Sequence, residues 1–348
     1  MKCGVGAYTK RLAIALAEYG GMNITVLTDV RAGKPVNIDG VEVLSIVRAW
    51  KYLELFRIAR SIQQLKPDIV HIQYPTQGFL EGNIAKLLPL MIRLLGKTCI
   101  QTWHEPILGL SSFYLTVGLK ELISVRDNII LKSPKLTQIA LKNTKLNWMP
   151  AASLLPTVML SEDKRLEIHN IYASENKILL VFYGFVAPLK GIETLLEIVA
   201  TINVRLVLVC DLQENNEYHI SLLKKIKAMD ISSHITITGF LEETELVSIL
   251  RASDAIVLPF RDGAGSWNTS VDGAVAQGNF VLTTSNENSG YIKEKNIYFA
   301  KPGNIKEMIN AIQKFAGHRV SCKSPVLEWR HIAEQHVNIY KQLRYQHD

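Results

Sequence analysis

The sequence predicts an α/β protein of two doubly wound parallel-sheet domains, and three observations carry that prediction. Nearly continuous apolar runs of strand length alternate with helical patterns along the chain, as expected where both faces of a parallel sheet are covered. The alternation comes as two successive βα series, separated by SEDKRLEIHNIYASENK, which is polar at 161–166. A chain of 348 residues is also long enough for two domains with cores of their own.

Composition narrows the class. Hydrophobic residues make up 48% and charged residues 20% of the chain, the balance of a globular protein rather than a disordered one. The formal charge of +7 suits a generally basic enzyme, or attraction to anionic lipid or phosphorylated ligands. Nucleic acid is not an expected partner, because no dense Lys/Arg run with interleaved aromatics occurs. Cys3, Cys99, Cys210 and Cys322 show no CxxC or metal spacing, so no metal site is expected. Cys99 and Cys210 sit in or at the end of apolar runs and read as small buried hydrophobes, which points to a reducing cytoplasm. No apolar run approaches the roughly eighteen residues of a membrane span, and no signal peptide is visible. The expectation is a cytoplasmic protein, soluble or peripheral to the membrane.

The first domain is expected over 1–160. Its strands read as NITVLTDV, VEVLSIVRAW, DIVHIQY, CIQTWHE, NIILKS and KLNWMP, and its helices include YTKRLAIALAEYG and ELFRIARSIQQLK. GVGAYTKRLAIAL reads as a glycine loop feeding a helix, with Gly4 and Gly6 letting backbone approach a ligand. Such a loop normally follows a buried central strand. Met1–Cys3 cannot form one, so a further segment of about ten residues is expected ahead of it. LLPLMIRLLGK (87–97) reads first as a buried helix or helix pair, with a membrane-facing surface as the alternative.

The second domain is expected over 161–325, with strands KILLVFYGF, VRLVLVCD, HITITGF, AIVLPF, NFVLTTS and IYFA. Residues 326–348 form a last helix that crosses back to the first domain. Trp329, Ile332 and Ala333, at helical spacing, make its buried face.

The most informative stretch runs from Val181 to Ser285. A strand leads into Gly184, Lys190 stands six residues on, and Gly191 opens an apolar-periodic helix. The grammar then repeats: strand AIVLPF, a Gly/Ser loop, a helix starting near Asn268, and Gly278 at its end. A strand, a small-residue loop and a helix start present backbone N–H groups and a positive dipole end to an anion. Two such sites, one with a lysine, suit a diphosphate.

At these residues the chain resembles the retaining glycosyltransferases of family 4. CGVGAYT, KPDIVHIQYPTQGF, TWHEP, GFVAPLKGIETLL, SILRASDAIVLPF and LEWRHIAEQHVNIYKQL follow the family's motifs in order, along nearly the whole chain. The resemblance implies the GT-B fold, two facing Rossmann-like domains with a cleft between them. Also implied is sugar transfer from a nucleotide diphosphate sugar with retention of configuration and without an obligatory metal or other cofactor. The acceptor would be a glycan or a lipid-linked molecule, with peripheral membrane contact as one option, in surface polysaccharide synthesis.

Roles follow from the resemblance residue by residue. Lys190 neutralises the diphosphate and the charge that develops as it leaves. Gly184, Gly265, Ser266, Asn268, Thr269 and Ser270 line the donor site with backbone N–H groups and hydroxyls. Asp272 reaches a ribose hydroxyl if the helix register differs by one, and is otherwise a surface aspartate. His104 hydrogen-bonds the transferred sugar, and Glu105 serves the acceptor or is simply solvated. His71, inside a strand, reads as structural.

Departures fall where the chemistry should be. The family's phosphate-loop arginine is replaced by Phe185, Val186 or Ala187, and its two glutamates fall on Gly265 and Gly273. Asp272 is one place off, about 100° around a helix. RDGAGSWNTSV resembles a DGxSxRRGSL variant, but Trp267 and Asn268 stand at its arginines, leaving Arg261 as the nearest basic substitute. A catalytically degenerate homologue acting as a partner or scaffold is therefore the alternative reading.

Overall fold

The computed structural model describes residues 4–74, 79, 83–105, 119–125, 135–150, 152–174, 177–265 and 267–345. The chain forms two compact units, Met1–Pro150 with Val326–Asp348, and Ala151–Pro325. The change of unit thus falls at 150/151 rather than 160/161. Leu155 packs on the second unit's core and the Pro156 carbonyl accepts from Gln277 Nε2 at 3.1 Å, which explains the earlier switch. Nor is the polar stretch after 160 a bridge. Ser161 caps the helix Glu162–Tyr172 through Lys164 N–H, and His169 of that helix meets Asp254 at 2.9 Å.

The strands of the first unit are β1 (Thr25–Asp29), β2 (Val36–Ile38), β3 (Val41–Val47), β4 (Ile69–Tyr74), β5 (Thr98–Trp103), β6 (Glu121–Ser124) and β7 (Lys145–Trp148). They form two ladders, β1-β3-β2 and β4-β5-β6-β7. All pairs are parallel except β2 with β3. Leu27 of β1, Val47 of β3 and Ile72 of β4 share one cluster with Ile58, Ile62 and Ile92 from the helices Glu54–Leu65 and Leu88–Leu94. β2 and β6 carry too few apolar residues at strand spacing to be read from sequence. NIILKS lies outside the described residues.

Gly4 and Gly6 lie within the helix α1 (Gly4–Gly20) rather than in a loop ahead of it. The alanine- and leucine-rich run that follows has strong helix propensity and carries the helix through both glycines. The last helix, Val326–Tyr345, packs along α1 within the same unit. Its buried face is Trp329, Ile332 and Ala333 as the spacing predicts, and continues through His336, Ile339, Tyr340 and Leu343. LLPLMIRLLGK forms one short helix, Leu88–Leu94, that buries Leu88 and Ile92 but leaves Leu90 and Leu94 exposed.

The second unit is a single sheet of β8 (Ile178–Tyr183), β9 (Val204–Val209), β10 (Ile235–Ile237), β11 (Ala255–Leu258), β12 (Phe280–Thr284), β13 (Gly290–Ile292) and β14 (Ile297–Ala300). Spatial order is β10-β9-β8-β11-β12-β14-β13, parallel apart from β13. Apart from Ile178, successive residues of β8, β11 and β12 are all buried, because helices cover both faces. From β8 the chain winds outward to β9 and β10, then returns to β11 and winds the other way. The topological switch therefore lies between β8 and β11, which pair through Ala255–Leu180 and Ile256–Val181. Ligands of such sheets bind beyond the carboxyl ends of the strands at the switch.

Candidate functional site

Two loops leave the sheet at that switch, one after Tyr183 of β8 and one after Leu258 of β11. They touch directly: Arg261 N–H donates to the Leu189 carbonyl at 3.0 Å, and Gly191 lies against Pro259. Gly191 has φ 69°, and a Cβ there would stand 1.9 Å from the Pro259 carbonyl oxygen. Only glycine lets the two backbones meet so closely. Gly191 also caps the helix Ile192–Thr201, whose Ile192, Leu195, Leu196, Ile198 and Val199 pack into the core.

Lys190 sits in a 3₁₀ turn, Pro188–Lys190, just ahead of that helix start. Its Nζ lies 4.7 Å from the centroid of the Phe260 ring. Burial lowers its pKa, and no carboxylate pairs with it among the described residues. A half-desolvated cation at a helix start is poised for an anion. Gly184 has φ 126° with no atom within 4 Å of where a Cβ would stand, so the space above the strand end is open.

His219 helps to hold this loop, and no motif or spacing along the chain points to it. Asn216 caps the helix Glu217–Ala228 and places His219 in its first turn. His219 Nδ1 accepts from Gln213 N–H at 2.9 Å, which leaves Nε2–H to face the Val186 carbonyl at 3.4 Å. Where the family's arginine is expected, Phe185 instead packs edge-on against Phe240, ring centroids 5.9 Å apart.

The second loop leads into the helix Thr269–Ala276. Asn268 is its N-cap residue, but its Oδ1 accepts from Gly265 N–H at 3.2 Å and makes no capping bond to the helix. Thr269 N–H is taken by the Trp267 carbonyl at 3.0 Å. The Ser270 carbonyl accepts from the Tyr183 hydroxyl. Asp272 lies in the first turn, near enough to Tyr183 to help burial raise that phenol's pKa. Ser266 lies outside the described residues.

Both positions of the family's glutamates are filled by aromatic groups, one from Trp267 in the same loop and one from Tyr183 of β8. A Cβ at Gly265 would stand 2.2 Å from the Trp267 indole, and one at Gly273 would stand 2.7 Å from the Tyr183 hydroxyl. Neither position has room for a side chain as the chain now packs. Arg261 is engaged too: its guanidinium stands 3.5 Å from Glu193.

His104 belongs to the first unit, immediately beyond β5. Its backbone N–H continues the ladder to the Tyr74 carbonyl at 2.9 Å, and its Nε2 meets Gln73 Oε1 at 2.8 Å. Burial lowers its pKa to about 4, so the ring is neutral near pH 7. Glu105 beside it is exposed. The structure thus places Gly184, Lys190, Gly265 and 267–272 in one unit and Gly4, Gly6, His104 and Glu105 in the other.

Fold and site define a doubly wound α/β protein with a lysine and a helix start at the switch point of its second sheet. Residues 3–136 match the family described as Glycosyltransferase Family 4, and residues 164–324 match Glycosyl transferases group 1. The chain belongs to this glycosyltransferase family. Among solved structures, it is similar to sucrose-phosphate synthase from Thermosynechococcus elongatus, with 16% identity, 98% of this chain and 93% of that one covered, and a TM-score of 0.70. A glycosyltransferase from Rickettsia africae aligns with 14% identity over 97% of this chain and 94% of that one, at a TM-score of 0.68. Anabaena HepE, solved in complex with UDP-glucose, aligns with 14% identity over 98% and 95%, at 0.64. These likenesses show the GT-B fold. No curated protein matches the sequence.

Proposed function

We propose that this protein transfers a sugar from a nucleotide diphosphate sugar to a glycan or lipid-linked acceptor, with retention of configuration and without an obligatory metal. The observation that carries the reading is Lys190, a half-buried cation without a carboxylate partner among the described residues, beside the Gly191 helix start at the sheet's switch point. A diphosphate would find there a positive charge and backbone N–H groups, and the same groups would stabilise it as it departs. HepE, of the same fold, was solved with UDP-glucose and with UDP. In this reading 161–325 holds the donor, 1–160 serves the acceptor, and 326–348 ties the chain's end to the acceptor side. His104 contacts the transferred sugar, while Gly4, Gly6 and Glu105 serve the acceptor or a phosphate. Gly184, Gly265, Ser266, Asn268, Thr269, Ser270 and Asp272 line the donor site.

A lipid-linked acceptor and a cytoplasmic membrane surface are the finer part of this proposal. Exposed Leu90 and Leu94 on Leu88–Leu94, with Arg93 and Lys97 close by in sequence, support it. Among the described residues, no helix is long and apolar enough to cross a membrane. The central test is calorimetry with nucleoside diphosphates and their sugars, followed by transfer assays with the donor that binds. Donor binding with transfer supports the proposal. Absence of both points to the second reading, a degenerate homologue acting as a partner or scaffold. That reading is favoured by Trp267 and Tyr183 filling the spaces at Gly265 and Gly273.

A further inference from the structure

Two sets of contacts meet at His104, and both originate in the last helix. His71 of β4 sits at the centre of a chain of polar contacts. Its Nδ1 is 2.6 Å from the Tyr340 hydroxyl, and its Nε2 is 2.7 Å from Thr102 Oγ1 and 3.2 Å from Gln73 Nε2. Gln73 then presents Oε1 to His104 Nε2 at 2.8 Å. The His104 ring is also held edge-on by Tyr8, centroids 4.9 Å apart, and Tyr8 packs on Trp329 of Val326–Tyr345 at 5.2 Å. Tyr340 and Trp329 thus reach the same histidine by two routes, one polar and one by packing.

With the Gln73 carboxamide oriented as it is here, Oε1 toward His104 and Nε2 toward His71, the donors and acceptors set a direction, and the opposite orientation would reverse both tautomers. A carboxamide oxygen only accepts, so His104 must donate from Nε2–H. The Gln73 amide N–H and the Thr102 hydroxyl both converge on His71 Nε2, which must be the bare nitrogen. His71 therefore carries its proton on Nδ1 and donates to the Tyr340 oxygen. With Nε2 protonated, a neutral His104 carries its lone pair on Nδ1, and nothing among the described residues bonds that atom.

We propose that Gln73, held by His71 and Tyr340, is a positioning residue that keeps His104 in a single tautomer, protonated at Nε2, so that Nδ1 is the acceptor His104 offers to a sugar hydroxyl. Only the last clause rests on the transferase reading. His71 and Gln73 are two apart on β4, so they share one face of the sheet. Around them stand His336, 5.8 Å from the His71 ring, and Tyr8, Tyr340 and Thr102, with no carboxylate bonded to either His71 or His104 among the described residues. Burial pushes the pKa of His71 well down and those of His104 and His336 to about 4. All three rings are thus neutral at pH 7, and the relay works by tautomer rather than by charge.

The test is nitrogen NMR of the full chain labelled at histidine, which distinguishes a protonated ring nitrogen from a bare one. His104 is assigned by its loss in His104→Gln. The expected result at pH 7 is one tautomer, Nε2–H, for His104, and Nδ1–H for His71. Gln73→Met keeps the shape but not the acceptor, and should return His104 to a mixture. Gln73→Glu keeps an acceptor for Nε2–H, so it should retain the tautomer and raise the His104 pKa by about one unit or more, as a carboxylate neighbour does. Tyr340→Phe, which removes only a hydroxyl, should move the His71 signals and broaden the His104 preference. A His104 protonated on Nδ1 in the parent protein, or one unchanged by Gln73→Met, overturns the relay. In transfer assays, Gln73→Met should lower kcat tenfold or more with less change in KM, and Gln73→Glu should recover part of it near pH 8. Unchanged kcat with an altered tautomer overturns the catalytic use of Nδ1. No transfer by the parent protein would instead count against the transferase reading, while the NMR result still decides the relay.

Discussion

Lys190 and Gly191 are neighbours in the chain, yet they answer to different physics. Lys190 is held half out of water over Phe260 without a carboxylate partner among the described residues, so its removal costs the fold little and an anion much. Lys190→Ala should weaken nucleoside diphosphate binding by about 1.5–3 kcal/mol, the worth of a charge-assisted contact, or roughly ten- to hundredfold. Calorimetry reads that directly, and unchanged affinity would remove Lys190 from the site. Gly191→Ala behaves in the opposite way. Its Cβ would overlap the Pro259 carbonyl oxygen at 1.9 Å, in addition to left-handed backbone at φ 69°. The two loops must separate, and thermal unfolding should show a loss on the order of 3 kcal/mol or more. Gly184→Ala, with φ 126° but open space, carries only backbone strain, about 1–3 kcal/mol.

At the scale of the element, the last helix carries the clearest consequence. Trp329 is buried between this helix and α1, so Trp329→Ala should cost about 3–5 kcal/mol and loosen Val326–Tyr345. The buried histidines give the same packing a pH dependence. His104 and His336 have folded pKa values of about 4, below their ordinary 6.5, because burial disfavours the charged ring. The unfolded chain binds the proton first on acidification. Stability is therefore full above about pH 6.5 and falls as pH drops toward 4, levelling below that. For His336, fully buried, this amounts to on the order of 3 kcal/mol. Chemical denaturation across pH 4–8 should show the decline, and His336→Gln should flatten part of it. An unchanged slope in that variant would show that His336 does not titrate with unfolding.

For the whole molecule, the question is how a family member works without the expected arginine and glutamates. Each missing charged contact to a transition state typically costs about 2–4 kcal/mol. Two such losses correspond to roughly three to five orders of magnitude in rate. Arg261 is the nearest basic side chain in sequence, but it is paired with Glu193 at 3.5 Å. If Arg261 swings to the leaving diphosphate during turnover, Arg261→Ala should lower transfer at least tenfold while leaving thermal stability within about 0.5 kcal/mol, since exposed pairs contribute little. Robust transfer unaffected by the change would remove Arg261 from the chemistry. Membrane contact has its own check: Leu90→Ser with Leu94→Ser should reduce co-flotation with anionic vesicles, and equal flotation would place the contact elsewhere.

The sequence by itself determined the α/β class, most strands, the buried face of Trp329, Ile332 and Ala333, and the helix starts after Lys190 and Asn268. These are legible because they are local: strand burial shows as an apolar run, helix burial as a period of 3.6, and a strand-to-helix loop as glycine between the two. Short strands such as Val36–Ile38, Glu121–Ser124 and Gly290–Ile292 left no such trace, since three or four residues hold too little pattern. Ser161–Tyr172 looked like a linker because its polarity is on the solvent side, while His169 and its bond to Asp254 are invisible in one dimension. Only the tertiary structure decided what fills Gly265 and Gly273, and which way His104 faces. The indole and the phenol that occupy those spaces come from Trp267 and Tyr183, and the hydroxyl that ends the His104 relay comes from Tyr340, 269 residues beyond His71. Tyr183 and Gly273, and Tyr340 and His71, lie far apart in the chain, so their contacts depend on how helices and strands close on one another; Trp267 is only two residues from Gly265, but its turn back onto that glycine is set by the fold of the loop.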